Sequence, residues 1–476
     1  MSSPLLRTKP LAALLGDTTT EAQRLRRALG PWDLVALGIG CILGVGIFVL
    51  PGVEAANHAG PGIILSFAIA AAACACAALC YAELAAMIPV SGSAYTYGYA
   101  TLGELPAWII GWDLILEYMV GACLVSIGWS AYFVNLFDNM LRPWGVTLPT
   151  VLTSAPLNWD DTTHRFVTTG AWINLPAVFI LAVLTLLLVR GIRESSNVNF
   201  TIVVIKVAVI LFFILLAVWH VNPGNWQPFM PFGFKGVMTA AAIVFLAYVG
   251  FDAVSTAAEE AINPQRDMPI GIMGSLAVAT ILYVTVAAIM TGVVPYKQLN
   301  VADPVALVLN MLNMPWASVV VSVGALAGIT SVLLVLLLGQ PRILFAMSRD
   351  GLLPPLMSKV HPRFRTPYLT TIITGTVVAV SSALTPINVV AELCSIGTLF
   401  AFLIVSAGVL VLRRTRAEVE RPFRVPLYPV IPILGIVLCG YLMANLPLVT
   451  WLRFLVWLVI GLLIYAAYGF RHSKIA

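Results

Sequence analysis

Charged side chains are scarce in this sequence: Asp, Glu, Lys and Arg make up 10% of its 476 residues, whereas hydrophobic residues make up 60%. A soluble domain carries roughly 25% charged residues, so this composition excludes a water-covered surface. The net charge of +5 does not indicate nucleic-acid binding, because the basic residues lie in short loops between apolar runs. The cysteines fall inside apolar runs, and the histidines lie in loops or at the ends of runs. We therefore expect no disulfide framework, metal site or enzyme active site.

Apolar runs of about 20 residues, the length that crosses a bilayer, recur twelve times along the chain. We number them segments 1 to 12, at residues 32–55, 61–88, 106–136, 171–190, 198–219, 236–259, 270–294, 317–340, 367–384, 389–412, 427–446 and 452–470. The sequence predicts an all-α polytopic membrane protein with twelve transmembrane helices. Residues 1–31 precede segment 1 without the pattern of a cleaved signal peptide.

The basic residues between the segments predict how the chain is oriented. With residues 1–31 in the cytoplasm, twenty of the 26 lysines and arginines lie on the inner side, five on the outer side and one, Lys206, inside segment 5. Cytoplasmic loops carry the excess of Lys and Arg in membrane proteins. This bias predicts an inner-membrane protein with both termini in the cytoplasm, an inner loop at 413–426 and an inner tail at 471–476.

Glycine interrupts segments 1 and 6, at corresponding positions of two halves of the chain. Segment 1 holds five glycines between residues 38 and 52, and segment 6 holds Gly250 near its middle. Glycine costs about 1 kcal/mol at an interior helix position relative to alanine, and paired interruptions of this kind mark transporter binding sites. We predict two inverted five-helix repeats, 32–219 and 236–412, followed by two helices within 427–470. The alternative is that the glycines of segment 1 serve close helix packing alone.

A helix broken in mid-membrane exposes main-chain polar groups, which is tolerated only where they face a cavity or a partner. The N–H groups that begin the second half of a broken helix suit a carboxylate. The carbonyls that end the first half suit an ammonium group. Together these groups would form a receptor for a zwitterion without any charged side chain.

Ionisable residues inside the segments are a second functional signal, because burying a charge in a membrane is costly. Lys206 lies about eight residues into segment 5. It could exchange a proton in each transport cycle, replace a sodium ion as a fixed charge, or pair with carbonyls for structural reasons. Asp113 and Glu117 share one face of segment 3, and Glu117 is the stronger candidate for coupling. Asp252 could cap the second half of segment 6.

Four stretches of the chain carry a family resemblance. They are LGIGCILGVGIF in segment 1, YAELAAMIPVSGSAYTYGYATLGELPAWIIGWDLILEY from segment 2 into segment 3, FLAYVGFDAVSTAAEEAINPQRDMP at segment 6 and GALAGITSVLLVLLLGQPRILFAMSRDGLLP at segment 8. With these stretches in this order, the chain resembles the amino acid–polyamine–organocation superfamily, and within it the bacterial members of the cationic amino acid transporter family. The resemblance implies a leucine-transporter-like five-plus-five inverted repeat with two C-terminal helices.

The resemblance also implies how the substrate is bound. The backbone positions expected at its carboxylate are Gly44, Val45 and Gly46, and the carbonyls expected at its ammonium group are those of Ile42, Leu246, Ala247 and Val249. Lys206 matches a lysine that stands where sodium-driven relatives hold a cation, and Glu117 matches an acidic position linked to proton coupling. Val45 stands where some relatives have a small hydroxyl residue, so only a backbone contact is expected there.

The function expected from these features is proton-coupled uptake of neutral L-amino acids, alanine-like or of medium apolar size, by alternating access. The stretch Ser331–Leu338, which would border the side-chain pocket, is almost wholly apolar, whereas a pocket for arginine or lysine needs polar partners. A cationic amino acid uniporter or exchanger and a non-transporting amino acid sensor are the alternatives. We expect the proton as coupling ion, no other cofactor, and the amino acid and the lipid bilayer as partners. A small membrane subunit or a homo-oligomer stays open.

Overall fold

The computed structural model of this chain describes residues 29–88, 93–141, 144–145, 147–160, 165–190, 196–256, 258, 261–301, 303–361 and 366–473. Most of the predicted N-terminal inner segment and part of the predicted inner tail lie outside these described residues.

Helices dominate the described part of the chain. Those of the first half are Pro31–Ile42, Val45–Phe48, Leu50–Glu54, Ile63–Met87, Ser93–Thr101, Glu104–Leu141, Leu175–Arg190 and Ser196–Ala217. Those that follow are Gly233–Val244, Ala253–Thr256, Pro264–Val293, Pro304–Met311, Pro315–Arg349, Tyr368–Leu384, Ile387–Thr415, Val430–Ala444, Leu448–Ile464 and Phe470–His472. Each of the twelve predicted segments contains at least one of these helices.

The length and composition of the helices indicate a multi-pass membrane protein. Within the described residues, seven helices are long and apolar enough to cross a membrane, and five shorter apolar helices lie in segments 1, 4, 6, 9 and 11. The two shorter helices of segments 1 and 6 belong to the segments that glycine interrupts. The count of twelve transmembrane helices and the five-plus-five repeat stay predictions.

Segment 3 lies at the centre of the helix bundle. In its most apolar stretch 89% of the residues are buried, against 28% in segment 5 and 22% in segment 12. Segment 3 packs against segments 8 and 10, segment 7 against segments 1 and 2, and segment 4 against segment 9. Polar side chains of segment 3 are therefore held inside protein, whereas segments 5 and 12 leave apolar faces at the periphery, where a bilayer would cover them.

Segment 1 is interrupted where its glycines predict a break. Its first helix ends at Ile42, and Leu43 follows with an extended backbone, at a ψ of 98°. Gly44 also leaves the helical conformation before a short helix begins at Val45. The two halves of segment 1 therefore present separate helix ends in the interior of the bundle.

Segment 6 is interrupted in the same way. Its helix ends at Val244, and one tighter turn covers Phe245–Tyr248. Gly250 then takes a φ of +123°, and helix resumes at Ala253. A φ in this range is accessible to glycine and strained for residues with a side chain. The glycine predicted to break segment 6 is thus required by its backbone conformation.

The two interruptions cross each other in close contact. A Cβ atom placed on Gly46 would lie 2.7 Å from the Cβ atom of Ala247, and one on Gly250 would lie 2.8 Å from the carbonyl carbon of Cys41. Both distances are far shorter than van der Waals contact between carbon atoms. We call the region of residues 40–46 and 246–252 the crossing.

The loop between segments 3 and 4 departs from the all-α prediction. Leu157–Asp160 and Arg165–Thr168 pair there as a two-stranded antiparallel sheet. Aromatic and β-branched residues such as Phe166 and Val167 favour strands. Runs of four residues inside a polar loop are too short to be noticed in a search for membrane-length apolar runs.

Helix ends differ from the predicted segment boundaries by several residues. Segment 8 extends as Pro315–Arg349 into the inner loop predicted to follow it, and the helix Ile387–Thr415 reaches into the predicted loop 413–426. The apolar pattern stops where the side chains become polar, whereas the main-chain hydrogen bonds of a helix continue regardless of side-chain polarity.

Candidate functional site

A cavity lies at the crossing of segments 1 and 6. Its volume is about 60 Å³, enough for about four water molecules. The residues that line it include all seven predicted to bind the substrate: Ile42, Gly44, Val45, Gly46, Leu246, Ala247 and Val249. The structure thus brings these residues together in one place, while their binding role stays a prediction.

The carboxylate side of the predicted site is formed by the short helix that begins at Val45. Gly44 is its N-cap, and no side chain caps the helix. The first N–H groups of a helix have no acceptor within it, so the N–H groups of Val45 and Gly46 lie at the cavity without an intrahelical partner. Donors placed in this way attract an anionic group.

On the carbonyl side, the structure shows a residue that the sequence did not single out, Tyr283 of segment 7. Its buried hydroxyl lies 2.8 Å from the carbonyl oxygen of Ile42 and 2.6 Å from that of Ala247. Both carbonyls are predicted acceptors of the substrate ammonium group. Tyr283 therefore links the two interruptions through their main chains. A tyrosine in an apolar run is an ordinary feature of membrane helices, so no sequence signal marks it.

The remaining walls of the cavity are apolar. Segment 8 contributes Val332, Val335 and Leu336, and segment 3 contributes Leu124 and Val125. The three residues of segment 8 fall in the stretch predicted to border the side-chain pocket. These five residues accept an apolar side chain and offer no hydrogen-bonding group to a charged one.

Two acidic residues also line the cavity, Glu117 and Asp252. The Asp252 carboxylate accepts a hydrogen bond from the Gly250 N–H at 2.9 Å, so it supports the interrupted backbone before the break. The role expected from sequence, capping of the helix that begins at Ala253, stays a prediction. Glu117 is 1% exposed. Within the part of the chain that the structure describes, neither of its carboxyl oxygens has a hydrogen-bond partner.

Lys206 lies beside the cavity lining and binds segment 1. Its side chain is fully buried, and its Nζ donates to the carbonyl oxygen of Gly40 at 2.7 Å. A Cβ atom on Gly328 of segment 8 would lie 3.1 Å from the lysine Cγ, so glycine leaves room for the lysine stem. Lys206 thus joins segments 1, 5 and 8. The carbonyl pairing of the structural alternative is present, and the role in proton coupling stays a prediction.

Metal-ligating residues do not cluster in the described ranges: no group of three or more His, Cys, Asp or Glu side chains there could hold a metal ion. The polar groups of the lining residues are main-chain N–H and carbonyl groups, two carboxyls, the hydroxyl of Tyr118 and the thiols of Cys41 and Cys394. Such a set can bind and orient a small polar molecule.

Known proteins resemble this chain over nearly its whole length. A family model described as amino acid permease matches residues 29–467. The branched-chain amino acid permease BcaP of Bacillus subtilis (strain 168) is 51% identical, covering 100% of both chains. The methylthioribose transporter of the same strain is 47% identical, covering 99% of both. The cationic amino acid transporter 4 of Homo sapiens is 31% identical, covering 99% of this chain and 90% of that protein.

Proposed function

Because this chain belongs to the amino acid permease family, we propose that it is a proton-coupled transporter of neutral L-amino acids with apolar side chains. It works by alternating access in the inner membrane, with both termini in the cytoplasm. An amino acid substrate and a membrane location follow from the family, whereas the choice of side chain, the coupling ion and the orientation are the proposal.

The observation that carries the proposal is the crossing of two interrupted helices at one small cavity. N–H groups at the start of one helix and carbonyls at the end of another lie around the same space, so they complement the carboxylate and the ammonium group of an amino acid. No charged side chain is needed for this recognition. A carrier with such a site binds the carboxylate and the ammonium group that all amino acids share, and it selects among amino acids through contacts with their side chains.

The selection falls to the apolar wall of segment 8. Val332, Val335 and Leu336 offer no hydrogen-bonding group to a cationic side chain. Of the two acids in the lining, Asp252 already binds the main chain, and Glu117 is assigned to the coupling proton, which neutralises it when bound. A relative named as a branched-chain amino acid permease, half identical to this chain, supports the same substrate class. The cavity volume is about 60 Å³, so the lining side chains must move to admit leucine.

A second candidate substrate comes from the relative named as a methylthioribose transporter. A methylthio group suits the apolar wall, but a sugar has neither a carboxylate nor an ammonium group. It would leave the N–H groups at Val45 and Gly46 and the carbonyls of Ile42 and Ala247 without charged partners. The main-chain geometry therefore favours the amino acid.

Proton coupling rests on Lys206 and Glu117. A lysine ammonium group bound to the carbonyl of Gly40 occupies a place next to the break in segment 1, so a sodium ion is not needed there. Glu117 lies at the cavity as a buried carboxyl without a hydrogen-bond partner among the described residues. A group of this kind can hold a proton in one state of the cycle and release it in another.

Uptake into proteoliposomes tests the proposal. With an inward proton gradient, the purified protein should accumulate leucine, valine and alanine, and a protonophore should abolish accumulation, whereas replacing sodium by choline should change nothing. Arginine and methylthioribose should not accumulate. Arginine uptake without leucine uptake would contradict the substrate class, and uptake indifferent to the protonophore would contradict the coupling. Leucine binding without counterflow would support the sensor alternative.

A further inference from the structure

Asp113 is a buried acid of segment 3 that the proposed binding and coupling sites do not use. It is fully buried, and both of its carboxyl oxygens are without a hydrogen-bond partner in the described part of the chain. A carboxylate buried without a donor costs several kcal/mol, by order-of-magnitude estimates of ion desolvation. A structural role for Asp113 does not account for this cost, because the side chain makes no hydrogen bond that would stabilise the fold.

Other buried acids of the molecule have structural partners. Glu83 pairs with Arg413, Glu104 accepts from the hydroxyls of Tyr465 and Ser473, and Asp267 accepts from the N–H of Asn263. Within the described residues, Asp113 and Glu117 differ from these acids because none of their four carboxyl oxygens has a hydrogen-bond partner. The nearby Thr398 hydroxyl faces Glu117 but donates to the carbonyl oxygen of Cys394. The exception is confined to one helix face.

Asp113 and Glu117 form a pair on that face. They lie four residues apart, which places their Cβ atoms about 5–6 Å from each other. Glu117 borders the cavity, and Asp113 lies one helical turn nearer to Glu104, where the helix begins. Segment 10 leaves room for the second carboxyl: a Cβ atom on Gly397 would lie 3.0 Å from the Asp113 Oδ1 atom.

We propose that Asp113 is a second proton carrier, which receives the transported proton from Glu117 and delivers it toward the inner side. This inference rests on the proposed proton coupling and inward orientation. In the transfer, the Glu117 carboxylic acid becomes a carboxylate and the Asp113 carboxylate becomes a carboxylic acid. Asp113 then releases the same proton to water on the inner side, and Glu117 regains a proton from water on the outer side when the cavity opens there. Two adjacent buried carboxyls share a single proton more readily than both ionise, so the pair passes one proton in each cycle.

Few other ionisable groups face this pair. Cys394 of segment 10 lies near both carboxyls, whereas Asp252 of segment 6 and the hydroxyl groups of Tyr81 and Tyr118 lie near Glu117. The neighbours of Asp113 are thus Glu117, Cys394 and the backbone at Gly397. The Cys394 thiol donates to the carbonyl oxygen of Glu117, which leaves the two carboxyl groups as the proposed route for the proton.

Two matched assays in proteoliposomes test the proposal, one of leucine uptake driven by a proton gradient and one of leucine counterflow without a gradient. Asp113→Asn should lower gradient-driven uptake at least tenfold and leave counterflow within twofold of the wild type. Asp113→Glu, which keeps a carboxyl, should recover much of the gradient-driven rate. Asp138→Asn is the control, since Asp138 lies on the same helix, Glu104–Leu141, but accepts from the N–H of Leu148 far from the pair. It should change neither rate.

The outcomes separate this inference from the proposed function. If Asp113→Asn takes up leucine at the wild-type rate under a proton gradient, the role of Asp113 as a proton carrier is refuted. An equal loss of uptake in Asp113→Asn and Asp113→Glu refutes it too, because a packing defect alone would explain that result. A wild type that shows no gradient-driven uptake refutes proton coupling and this inference together. If Asp113→Asn does not fold, infrared difference spectra of the wild type, recorded on leucine binding, test whether a proton moves between the two carboxyls. Transfer between two carboxyls gives paired positive and negative bands of protonated carboxyl groups, and a single band or none overturns the proposal.

Discussion

Main-chain atoms form the crossing of segments 1 and 6, whereas side chains form the contacts among segments 2, 3, 10 and 12. At the crossing, main chain touches main chain: Gly46 lies against Ala247 and Gly250 against Cys41. Tyr283 and Lys206 add hydrogen bonds there, and these too end on carbonyl oxygens. Side chains on both partners account for little of the contact.

Side chains hold the other region. Glu83 of segment 2 binds the guanidinium of Arg413, near the end of the helix Ile387–Thr415 that continues segment 10. It also accepts from the N–H of Val425. The rings of Trp112 and Trp457 stack with centroids 4.5 Å apart, joining segments 3 and 12. We call these contacts the side-chain frame. Paired ions and stacked rings fix one arrangement, whereas main-chain contacts through glycine leave polar groups available to a ligand. The frame should therefore govern stability and the crossing should govern transport.

Adding a methyl group at the crossing should have the largest effect and is the strongest test of the contrast between the crossing and the side-chain frame. In Gly46→Ala the new Cβ atom would lie 2.7 Å from the Cβ atom and 2.8 Å from the Cα atom of Ala247, so backbone must move. We expect uptake to fall by more than 100-fold and stability to drop by about 1–3 kcal/mol, the usual cost of overpacking. Gly440→Ala is the control, because its new methyl would be 3.8 Å from the nearest atom. Equal activity of the two variants would refute the close crossing.

Removing the cation next to the break should have the next largest effect. In Lys206→Ala the carbonyl of Gly40 loses its donor at 2.7 Å, and the proposed proton exchange is lost with it. We expect gradient-driven uptake to be abolished and part of the counterflow to remain. Lys235→Ala, at an exposed lysine, should behave as the wild type. Unchanged gradient-driven uptake in Lys206→Ala would remove Lys206 from the mechanism.

A smaller effect is expected when a single hydroxyl is removed from the crossing. Tyr283→Phe keeps the ring but leaves the carbonyls of Ile42 and Ala247 without their donor. A hydrogen bond contributes about 0.5–1.5 kcal/mol, so we expect KM for leucine to shift by about two- to tenfold. Tyr465→Phe is the control, because the hydroxyl that it removes donates to Glu104, from segment 12 and outside the crossing, so its KM should not change. A similar shift in both variants would show a general packing effect.

On the side-chain frame, the expected effect is on stability alone. Glu83→Gln leaves the guanidinium of Arg413 in a partly buried position without its carboxylate. Breaking a buried pair from one side costs about 3–5 kcal/mol, which the partial exposure of Arg413 reduces. We expect a lower Tm in detergent with an unchanged KM for leucine in the folded fraction. A changed KM at an unchanged Tm would contradict the division between frame and crossing.

The smallest effect is expected outside the membrane segments, at Asp303. Burial raises the pKa of this carboxyl to about 6, above its usual value of about 3.9. The folded chain therefore binds more protons than the unfolded chain between these pH values, and stability falls as the pH rises through this window. Asp303→Asn cannot ionise, so it should raise Tm at pH 8 and leave it unchanged at pH 4. The reverse pattern in a thermal-shift assay would contradict the burial of this carboxyl.

Both regions show what sequence reasoning can reach. The interruptions were predictable because glycine is the residue that a positive φ and a close main-chain approach require, as Gly250 and Gly46 show. The seven backbone positions around the cavity and the apolar wall of segment 8 came from the family resemblance, and the structure places them together.

Other features gave no sequence signal. Tyr283 is an aromatic residue in an apolar helix, and only the folded chain shows which carbonyls its hydroxyl reaches. The pairing of Glu83 with Arg413 joins residues 330 positions apart, so nothing local in the sequence indicates it. Likewise, the spacing of Asp113 and Glu117 predicts a shared face, but the lack of partners for their carboxyls depends on tertiary packing.

The single hydroxyl at the crossing has a consequence for which ligands it favours. A tyrosine hydroxyl has one hydrogen to donate, whereas a primary ammonium group has three. Two carbonyls lie within reach of the one hydroxyl hydrogen of Tyr283, so at any instant one of them lacks it. A primary amine makes up the deficit with hydrogens to spare, each N-methylation takes one away, and a sugar brings no positive charge at all. If the crossing binds its substrate as proposed, it should rank amine ligands by the number of hydrogens on their nitrogen.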